Sequence, residues 1–279
     1  ILREDIGRVR LKRLTAEHIE KAFEQRAANG MSRASLVKIR SVLGKALDYA
    51  LRRQLVNQNV ARIVELPAEA RRQDKGRALT AEQAKAILAE SAGHPLHALW
   101  VVMLYLGVRP GEAAGLTWKD IDFDESLVHI RRARRVERGQ QKIEEQLKTD
   151  RSRRTLAAPP PVIDGLREHR RRQNEVRLRA GAAWTDELGL VFTTDTGKPH
   201  NPSNLRRTLS KITNRLDLGD WHPHELRHTA ASLMSEAGIP IETIADQLGH
   251  DGTRMTLLIY RHATKPTVAA GHAMTEHLT

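Results

Sequence analysis

Two short segments combine arginine and histidine at spacings that could bind and polarise an anion. In residues 106–112, L-G-V-R-P-G-E, glycines on both sides place Arg109 in a tight turn at a helix start, where backbone N–H groups and a guanidinium can meet one anion. Taken alone, a salt bridge from Arg109 to Glu112 is the simpler interpretation. In residues 222–228, H-P-H-E-L-R-H, side chains at three- and four-residue spacing share one helix face: His224, Arg227 and His228.

Two further candidates follow towards the end of the sequence. His250 comes directly after Gly249, which is placed to cap the preceding helix. Tyr260 lies ten residues later and is one of only three tyrosines in the chain. Singly, a satisfied buried histidine and a core tyrosine are the ordinary interpretations. Any joint chemistry requires elements that bring the four segments together.

The composition restricts the classes of protein to which the chain can belong. Its 279 residues include 46 basic and 34 acidic side chains, for a net charge of +12, and 40% hydrophobic residues suffice for a sizeable core. The longest apolar stretch, residues 95–108, is interrupted by His97 and is too short for a membrane span, which needs ~20 residues. No secretory leader opens the chain, and the absence of cysteine excludes disulfides, thiolate zinc sites and cysteine nucleophiles. We therefore expect a basic cytoplasmic protein, with nucleic acid as the first partner to test.

The excess positive charge is concentrated near the start of the chain. Residues 1–76 contain 17 basic and 9 acidic side chains, so about a quarter of the chain carries +8 of the +12. Thr15 and Ser32 are placed to cap two helices, and in the second an apolar face is predicted at positions 36, 39, 42, 43, 46, 47 and 50. The opposite face is predicted to bind DNA phosphates through Arg33, Lys38, Arg40, Lys45, Arg52 and Arg53.

The remaining pattern predicts a mainly α protein with a small antiparallel β-sheet. The polar residues 67–76 indicate a linker, after which Thr80 and Gln83 form a capping-box start. Residues 96–106 read as a buried helix, and strands are predicted at 127–135, 142–147 and 154–158. Further helices are predicted at 162–179, 203–216, 224–237, 241–248 and 256–263.

Together the four segments resemble the tyrosine recombinases of the phage integrase family. Members carry arginine in a G-x-R-x-G-E turn, an H-x-x-R pair, an L-G-H segment and a tyrosine about ten residues later. Here the same order is Arg109, then His224 with Arg227, then His250, then Tyr260. The resemblance covers residues 79–262 and extends more weakly to residues 1–66. The resemblance also indicates Lys148 as the catalytic lysine, because Lys148-Thr149 matches the K-T context typical of the family, and Lys142 is the competing candidate. Leu147 stands where members often have proline.

The resemblance implies a role for each of these residues. Arg109, Arg227 and His250 would stabilise the phosphorane that forms when a phosphodiester is cut without metal or ATP. Tyr260 would be the nucleophile that forms a 3′-phosphotyrosyl link, with His224 as general base or hydrogen-bonding partner. Lys148 would protonate the leaving 5′ oxygen. Arg153 and Arg154, which follow the lysine, are added to the predicted DNA contacts.

Three alternatives remain open at this stage. His224, Glu225 and His228 also satisfy H-E-x-x-H, the zinc metalloprotease pattern, although a third ligand is poorly supplied. A relative that grips DNA without cutting it would need no catalytic set. A type IB topoisomerase would use the same chemistry as a monomer.

The predicted organisation is a two-domain clamp around DNA. Residues 1–66 would form a helical, SAM-like core-binding domain whose leading helix, like any N-terminal arm-binding domain, is expected to lie before residue 1. Residues 67–76 would be the linker, and residues 77–279 an α+β catalytic domain with a C-terminal tail. Four strand cuts on two sites imply a homotetramer at the nucleoid, helped by DNA-bending or directionality factors. The apolar tail after Tyr260 would dock either on its own protomer or on a neighbour.

Overall fold

The chain divides into two compact units, Ile1–Lys75 and Gly76–Thr279. The computed structural model describes residues 4–68, 77–137, 140–144, 153–186 and 188–250, with the backbone alone for 135–137 and 140–144. Lys148, Tyr260, the predicted helix 256–263 and the tail lie outside the described residues, as does most of the predicted linker. In the part of the chain that is described, no helix has the length and apolar character needed to cross a bilayer.

The described part of the first unit, residues 4–68, contains two α-helices and two 3₁₀ turns, the first turn at Leu11–Arg13. The helices are α1 (Ala16–Ala28) and α2 (Arg33–Arg52), followed by a 3₁₀ turn at Val60–Arg62. The two predicted helix starts are confirmed, because the hydroxyls of Thr15 and Ser32 accept hydrogen bonds from backbone N–H groups three residues on. The core of the unit consists of Ile19, Phe23, Leu36, Leu47, Val60, Ala61 and Val64.

The buried face of α2 is narrower than the sequence prediction. Val42 is 68% exposed and Ala46 is also exposed, so these two positions of the predicted apolar face are not buried. At 100° per residue, Val42 lies about 120° around the helix from the fully buried Leu36, and Ala46 about 80°. Apolar residues at three- and four-residue spacing along α2 therefore do not all lie on the face that packs into the core of the unit.

The described residues of the second unit form seven α-helices: α3 (Ala81–Glu90), α4 (His97–Leu106), α5 (Pro110–Ala114), α6 (Pro160–Ala180), α7 (Pro202–Arg215), α8 (Pro223–Glu236) and α9 (Ile241–Leu248). The predicted buried helix is confirmed as α4, in which eight of ten side chains are buried between α6 and α8. Proline opens four of these helices at their first turn, where its missing N–H costs nothing.

Where the structure describes the chain, five short strands form two antiparallel sheets. Strands β1 (Ile121–Asp122), β2 (Leu127–Ile130) and β5 (Arg154–Ala157) pair in the order β1-β2-β5, while β3 (Ala133–Glu137) pairs with β4 (Gln140–Glu144). The single strand predicted at 127–135 is therefore wrong. The chain breaks after Ile130 because β2 stays with β5, through the pair Ile130–Arg154, whereas β3 leaves the sheet to pack beside α5.

Candidate active site

The turn that carries Arg109 is organised by the buried carboxylate of Glu112. Arg109 is the N-cap of α5, and its backbone N–H donates to Glu112 Oε2 at 2.9 Å. Its Nη1 donates to Glu112 Oε1 at 2.7 Å, so the salt bridge that the sequence suggested as the simpler interpretation is present. The side chain of Arg109 nevertheless stays 37% exposed, whereas that of Glu112 is 1% exposed. The turn thus fixes one edge of a guanidinium that still faces solvent.

Arg227 lies deeper and joins two helix ends. It projects from α8 and is 3% exposed. Its Nη1 donates to Gly107 O and its Nη2 to Leu248 O, both at 2.7 Å. Burial, followed by the nearby charge of Arg109, lowers the pKa of Arg227 to about 9, so it remains protonated at neutral pH.

Gly107 permits the close approach that Arg227 requires. It ends α4 in the left-handed region, at φ 61°, where glycine carries no steric penalty. A Cβ at this position would lie 2.5 Å from Leu248 Cδ2 and 3.3 Å from Ala230 Cβ. The absence of a side chain at residue 107 therefore brings the end of α4 against both α8 and α9.

Three arginines meet the carbonyl groups at the C-terminal end of α9. Nε of Arg154 donates to Gln247 O at 2.8 Å, Arg227 donates to Leu248 O, and Nη2 of Arg109 donates to Gly249 O at 3.0 Å. Three consecutive carbonyls thus each accept from a different guanidinium. This end of a helix leaves its carbonyls unpaired and carries partial negative charge, so it suits cations. We call this group of three arginines the arginine cap.

The arginine cap holds the turn from which His250 projects. Gly249 adopts the left-handed conformation expected of a helix C-cap, at φ 61° and ψ 52°, and the backbone N–H of His250 donates to Ala245 O. Burial, followed by the charges of Arg227 and Arg109, lowers the pKa of His250 to about 4. Its ring is therefore neutral at physiological pH and able to donate one hydrogen bond.

His224 and His228 form an edge-to-face pair on α8. Their ring centroids are 5.0 Å apart, at an interplanar angle of 88°. His224 is exposed as a whole residue, whereas His228 is half-buried. Partial loss of solvent around the two rings, followed by nearby positive charge, lowers the pKa of both. Nδ1 of His228 is buried and finds no hydrogen-bond partner in the described part of the chain.

The surroundings of this histidine pair do not favour the metalloprotease alternative. Oε2 of Glu225, the predicted general base of that pattern, accepts from the backbone N–H of His222 at 2.7 Å, and Oε1 accepts from Arg77 Nε at 3.0 Å. The carboxylate therefore closes a capping box at the start of α8. Among the described residues, no three histidine, aspartate or glutamate side chains come together as a metal site.

Arg154 differs from its predicted role as a DNA contact. Its side chain is 8% exposed. Nη2 donates to Glu112 Oε2 at 2.9 Å and Nη1 to Glu112 Oε1 at 3.3 Å, so both guanidinium ends face a buried carboxylate. Burial alone would raise the pKa of Glu112, but its hydrogen bonds and charge contacts with Arg154 and Arg109 lower that pKa below its usual value. The position of Glu112 between two arginines explains why it stays charged.

Basic residues beside the site line a cleft that the sequence prediction covers only in part. A cleft of about 630 Å³ lies along β2 and β5, lined by His129, Ile130, Arg131, Arg132, Arg153, Arg154 and Thr155. The predicted contact Arg153 is exposed there, whereas Arg131 and Arg132 were not among the candidates. The signal that could have found them is a pair of arginines directly after Ile130, the residue that pairs with Arg154.

In the first unit, two of the six predicted DNA contacts serve the fold. Nη1 of Arg40 donates to Val64 O at 2.9 Å, and Nη1 of Arg33 donates to Pro67 O at 3.1 Å. Both arginines lie within about 60° of Leu36 around α2; Arg40 is half-buried, whereas Arg33 is exposed. By contrast, Lys38, Lys45 and Arg52 lie about 160–200° from Leu36 and are exposed. Arg53, the C-cap of α2, is also exposed, and its guanidinium lies over the ring of Tyr49.

Of the six predicted catalytic residues, four are described. Arg109, Arg227 and His250 meet at the end of α9, and His224 lies one helical turn before Arg227 on α8. Lys148 and Tyr260 lie outside the described residues, so their places in the site stay predictions.

Sequence comparisons identify relatives over most of the chain. The model of the phage integrase family matches residues 77–266. An integrase of Streptomyces ambofaciens is 35% identical over 276 residues, covering 95% of this chain and 69% of the relative. A tyrosine recombinase XerC-like protein of Caldanaerobacter subterraneus is 38% identical over 191 residues, covering 65% of this chain. This chain spans about half the length of that second relative, 49%.

Solved structures share the fold at low sequence identity. The Tn1549 transposon integrase in complex with transposon right end DNA aligns with a TM-score of 0.78 at 17% identity, covering 96% of this chain and 86% of the other. A lambda integrase dimer bound to a core site aligns with a TM-score of 0.66 at 18% identity, covering 93% and 84%. The predicted fold class, mainly α with a small antiparallel sheet, is confirmed.

Proposed function

The chain belongs to the phage integrase family of tyrosine recombinases, and we propose that it breaks and rejoins double-stranded DNA through a covalent link to Tyr260. One observation carries this proposal beyond family membership: Arg109, Arg227 and His250 converge on one helix end from distant parts of the sequence. Such a cluster has the positive charge and the directed N–H groups that a phosphoryl transition state requires.

We assign stabilisation of the phosphorane to the two arginines and His250. The exposed part of Arg109 faces solvent while Glu112 and Gly249 O hold its other edge, so little reorganisation accompanies substrate binding. Arg227 adds a second fixed positive charge from the buried side. His250, neutral because its pKa is lowered to about 4, donates a hydrogen bond to a non-bridging oxygen.

The covalent step exchanges one phosphoester bond for another. Tyr260 Oη forms a bond to the scissile phosphorus as the bond from phosphorus to the 5′ oxygen breaks, which leaves a 3′-phosphotyrosyl link and a 5′-hydroxyl. The phenol proton passes to His224, whose lowered pKa keeps its ring neutral and able to accept. The ammonium group of Lys148 gives its proton to the 5′ oxygen. Rejoining is the reverse reaction, so no ATP is consumed.

A nicked suicide substrate carrying the cognate site tests this proposal directly. Cleavage releases a short 5′-hydroxyl fragment and traps the protein on the DNA, so wild type should give a covalent adduct that denaturing electrophoresis resolves. Tyr260→Phe lacks the attacking oxygen and should give none. An adduct with Tyr260→Phe would refute the assignment of the nucleophile, and DNA binding without any wild-type adduct would favour the catalytically silent alternative.

The leaving-group assignment has its own test. A substrate with a 5′-bridging sulfur needs no proton on departure, because a thiolate is a far better leaving group than an alkoxide. Lys148→Ala should therefore lose ~10²–10⁴-fold on the normal substrate and recover most of that on the sulfur substrate. If Lys142→Ala, and not Lys148→Ala, loses rate on the normal substrate and recovers it on the sulfur substrate, the leaving-group role belongs to Lys142.

For the assembly we propose four protomers on two DNA sites, held at the nucleoid by their substrate. Recombining two duplexes requires four strand cuts, and each protomer has one Tyr260. Light scattering on paired sites should give a protein mass of four chains. Relaxation of a supercoiled plasmid without paired sites, by a complex of one chain, would instead support the topoisomerase alternative.

A further inference from the structure

Arg154 takes no part in the mechanism above, yet it is more deeply built into the site than Arg109. Its side chain is 8% exposed, against 37% for Arg109. Burying a guanidinium is costly unless its donors are paired. Two of its nitrogens bind Glu112 and the third binds Gln247 O, so its hydrogen bonds point into the protein. A side chain placed in this way is poorly suited to gripping a DNA phosphate.

The partners of Arg154 are the two structures that hold the reacting groups. Glu112 binds both the backbone N–H and the guanidinium of Arg109. Gln247 lies in the last turn of α9, immediately before the carbonyls that accept from Arg227 and Arg109. Arg154 itself stands at the first position of β5, paired with Ile130 of β2. It thus connects the sheet to both halves of the site.

We propose that Arg154 is a positioning residue that fixes Arg109, through Glu112, and the His250 turn, through Gln247 O, in one arrangement. The proposal rests on the proposed function, since it concerns the geometry of the same cleavage step. Without Arg154 the carboxylate of Glu112 keeps Arg109 as its one hydrogen-bonded arginine among the described residues, and the end of α9 loses one of the three arginines of its cap. Misplacement of a catalytic group by about 1 Å can cost ~100-fold in rate.

The protonation of Glu112 provides a signature that a merely structural role lacks. In wild type, Arg154 and Arg109 together outweigh burial and keep the pKa of Glu112 below its usual value. When Arg154 is replaced by an uncharged side chain, burial acts against one arginine alone, and the pKa of Glu112 rises. A protonated Glu112 offers fewer acceptor sites to Arg109. The cleavage rate of such a variant should therefore fall more steeply as the pH is lowered.

The test measures single-turnover cleavage of the suicide substrate at saturating DNA at a series of pH values from neutral down towards 4.5, the ordinary pKa of a glutamate side chain. Arg154→Met should cleave ~10–100-fold more slowly than wild type at the upper end, and the deficit should widen towards the lower end. Arg154→Lys keeps the charge without the planar fork, so it should restore the wild-type pH profile and part of the rate. Circular dichroism melting of each variant confirms that folded protein is compared.

Two further variants separate positioning from other effects. In a Glu112→Gln background nothing titrates at residue 112, so adding Arg154→Met should leave no extra pH dependence, and the rate that it still costs measures the contact with Gln247 O. Arg171→Met serves as a matched control, because it removes an exposed arginine that pairs with Glu168 and Glu175 on the surface of α6. Its cleavage rate and pH profile should equal those of wild type.

Salt dependence distinguishes positioning from a direct phosphate contact. Loss of a phosphate contact lowers the slope of log Kd against log salt by ~0.9, and Arg153→Met is expected to show that change. Arg154→Met should keep the wild-type slope. A reduced slope for Arg154→Met with an unchanged rate at saturating DNA would overturn the proposal. A loss of rate with a wild-type pH profile in both Arg154→Met and Arg154→Lys would overturn it as well. Absence of a wild-type adduct would instead reject the proposed function.

Discussion

A buried carboxylate, rather than a catalytic cation, organises the site at the scale of single residues. Glu112 is 1% exposed and pairs with an exposed arginine on one side and a buried one on the other. Buried charges are tolerated when each is paired and hydrogen-bonded. The chain therefore assembles mutually repelling guanidiniums by placing one negative charge between Arg109 and Arg154, while Arg227 is held by helix carbonyls. This arrangement leaves positive charge available for a phosphate.

The histidine beside these cations should make stability dependent on pH. The pKa of His250 is about 4 in the folded chain, below its ordinary value of 6.5, so the unfolded state binds a proton more readily. Stability is then fully present above pH 6.5 and falls as the pH drops towards 4. We expect His250→Gln to flatten this fall by on the order of 1 kcal/mol, after allowing for solvent screening of a half-buried ring.

Urea unfolding of wild type and His250→Gln at several pH values provides the measurement. The difference in unfolding free energy between the two proteins should change across that window and stay constant above it. A difference that is independent of pH would contradict the lowered pKa.

At the scale of elements, the site is a junction of helix ends. The C-terminal ends of α4 and α9 and the N-terminal end of α5 meet beside α8, so carbonyl groups that helices leave unpaired become acceptors for arginines. Packing of α8 on α9 through Ala231, Ile244 and Leu248 holds two of these ends in register. The positions of Arg109, Arg227 and His250 are thereby fixed by packed helices.

The helix junction predicts that Gly107→Ala is strongly unfavourable. Alanine at φ 61° is strained, and its methyl group would have to displace Leu248 from the end of α9. We expect a loss of about 1–3 kcal/mol in stability, together with slower cleavage, since Gly107 O also holds Arg227.

Gly93→Ala is the control for this substitution, because a Cβ at Gly93 meets nothing within 4 Å. Thermal melting of both variants gives the comparison. Equal melting temperatures for Gly107→Ala and wild type would show that the close approach of α4 and α9 is not required.

At the scale of the whole molecule, the basic residues of the first 76 positions divide into those that hydrogen-bond within the fold and those that face outward. Residues 1–76 carry most of the net charge, but Arg33 and Arg40 are used to hold the segment after the 3₁₀ turn. The exposed basic face of α2 is therefore smaller than composition suggests. Its outward-facing members are Lys38, Lys45 and Arg52.

This division predicts different outcomes for basic residues on the two sides of α2. Replacing Lys38, Lys45 and Arg52 together by glutamine should reduce the slope of log Kd against log salt by up to ~2.7, because each phosphate contact contributes ~0.9. Arg40→Gln should leave the slope unchanged and lower the melting temperature, since it removes the hydrogen bond to Val64 O. Fluorescence anisotropy with duplex DNA at several salt concentrations measures the slope, and an equal effect of Arg40→Gln would contradict the division.

The sequence by itself determined several helix boundaries, the buried helix α4 and the residue types of the candidate site. Caps at Thr15, Ser32 and Thr80, the apolar run of α4 and the glycine after α9 are local signals, and each was confirmed because backbone hydrogen bonding depends on near neighbours. The order of arginines and histidines sufficed to indicate the family, which the comparisons confirmed.

Only the tertiary structure decided which arginines are exposed and which bind other groups of the protein. Arg153 and Arg154 are indistinguishable in the sequence, yet one is exposed and the other binds Glu112, 42 residues away along the chain. Likewise, the break between β2 and β3 reflects competing partners for the same stretch of chain. Side-chain roles of this kind depend on contacts between distant segments, and the energy of a buried ion pair exists only once those segments have packed together.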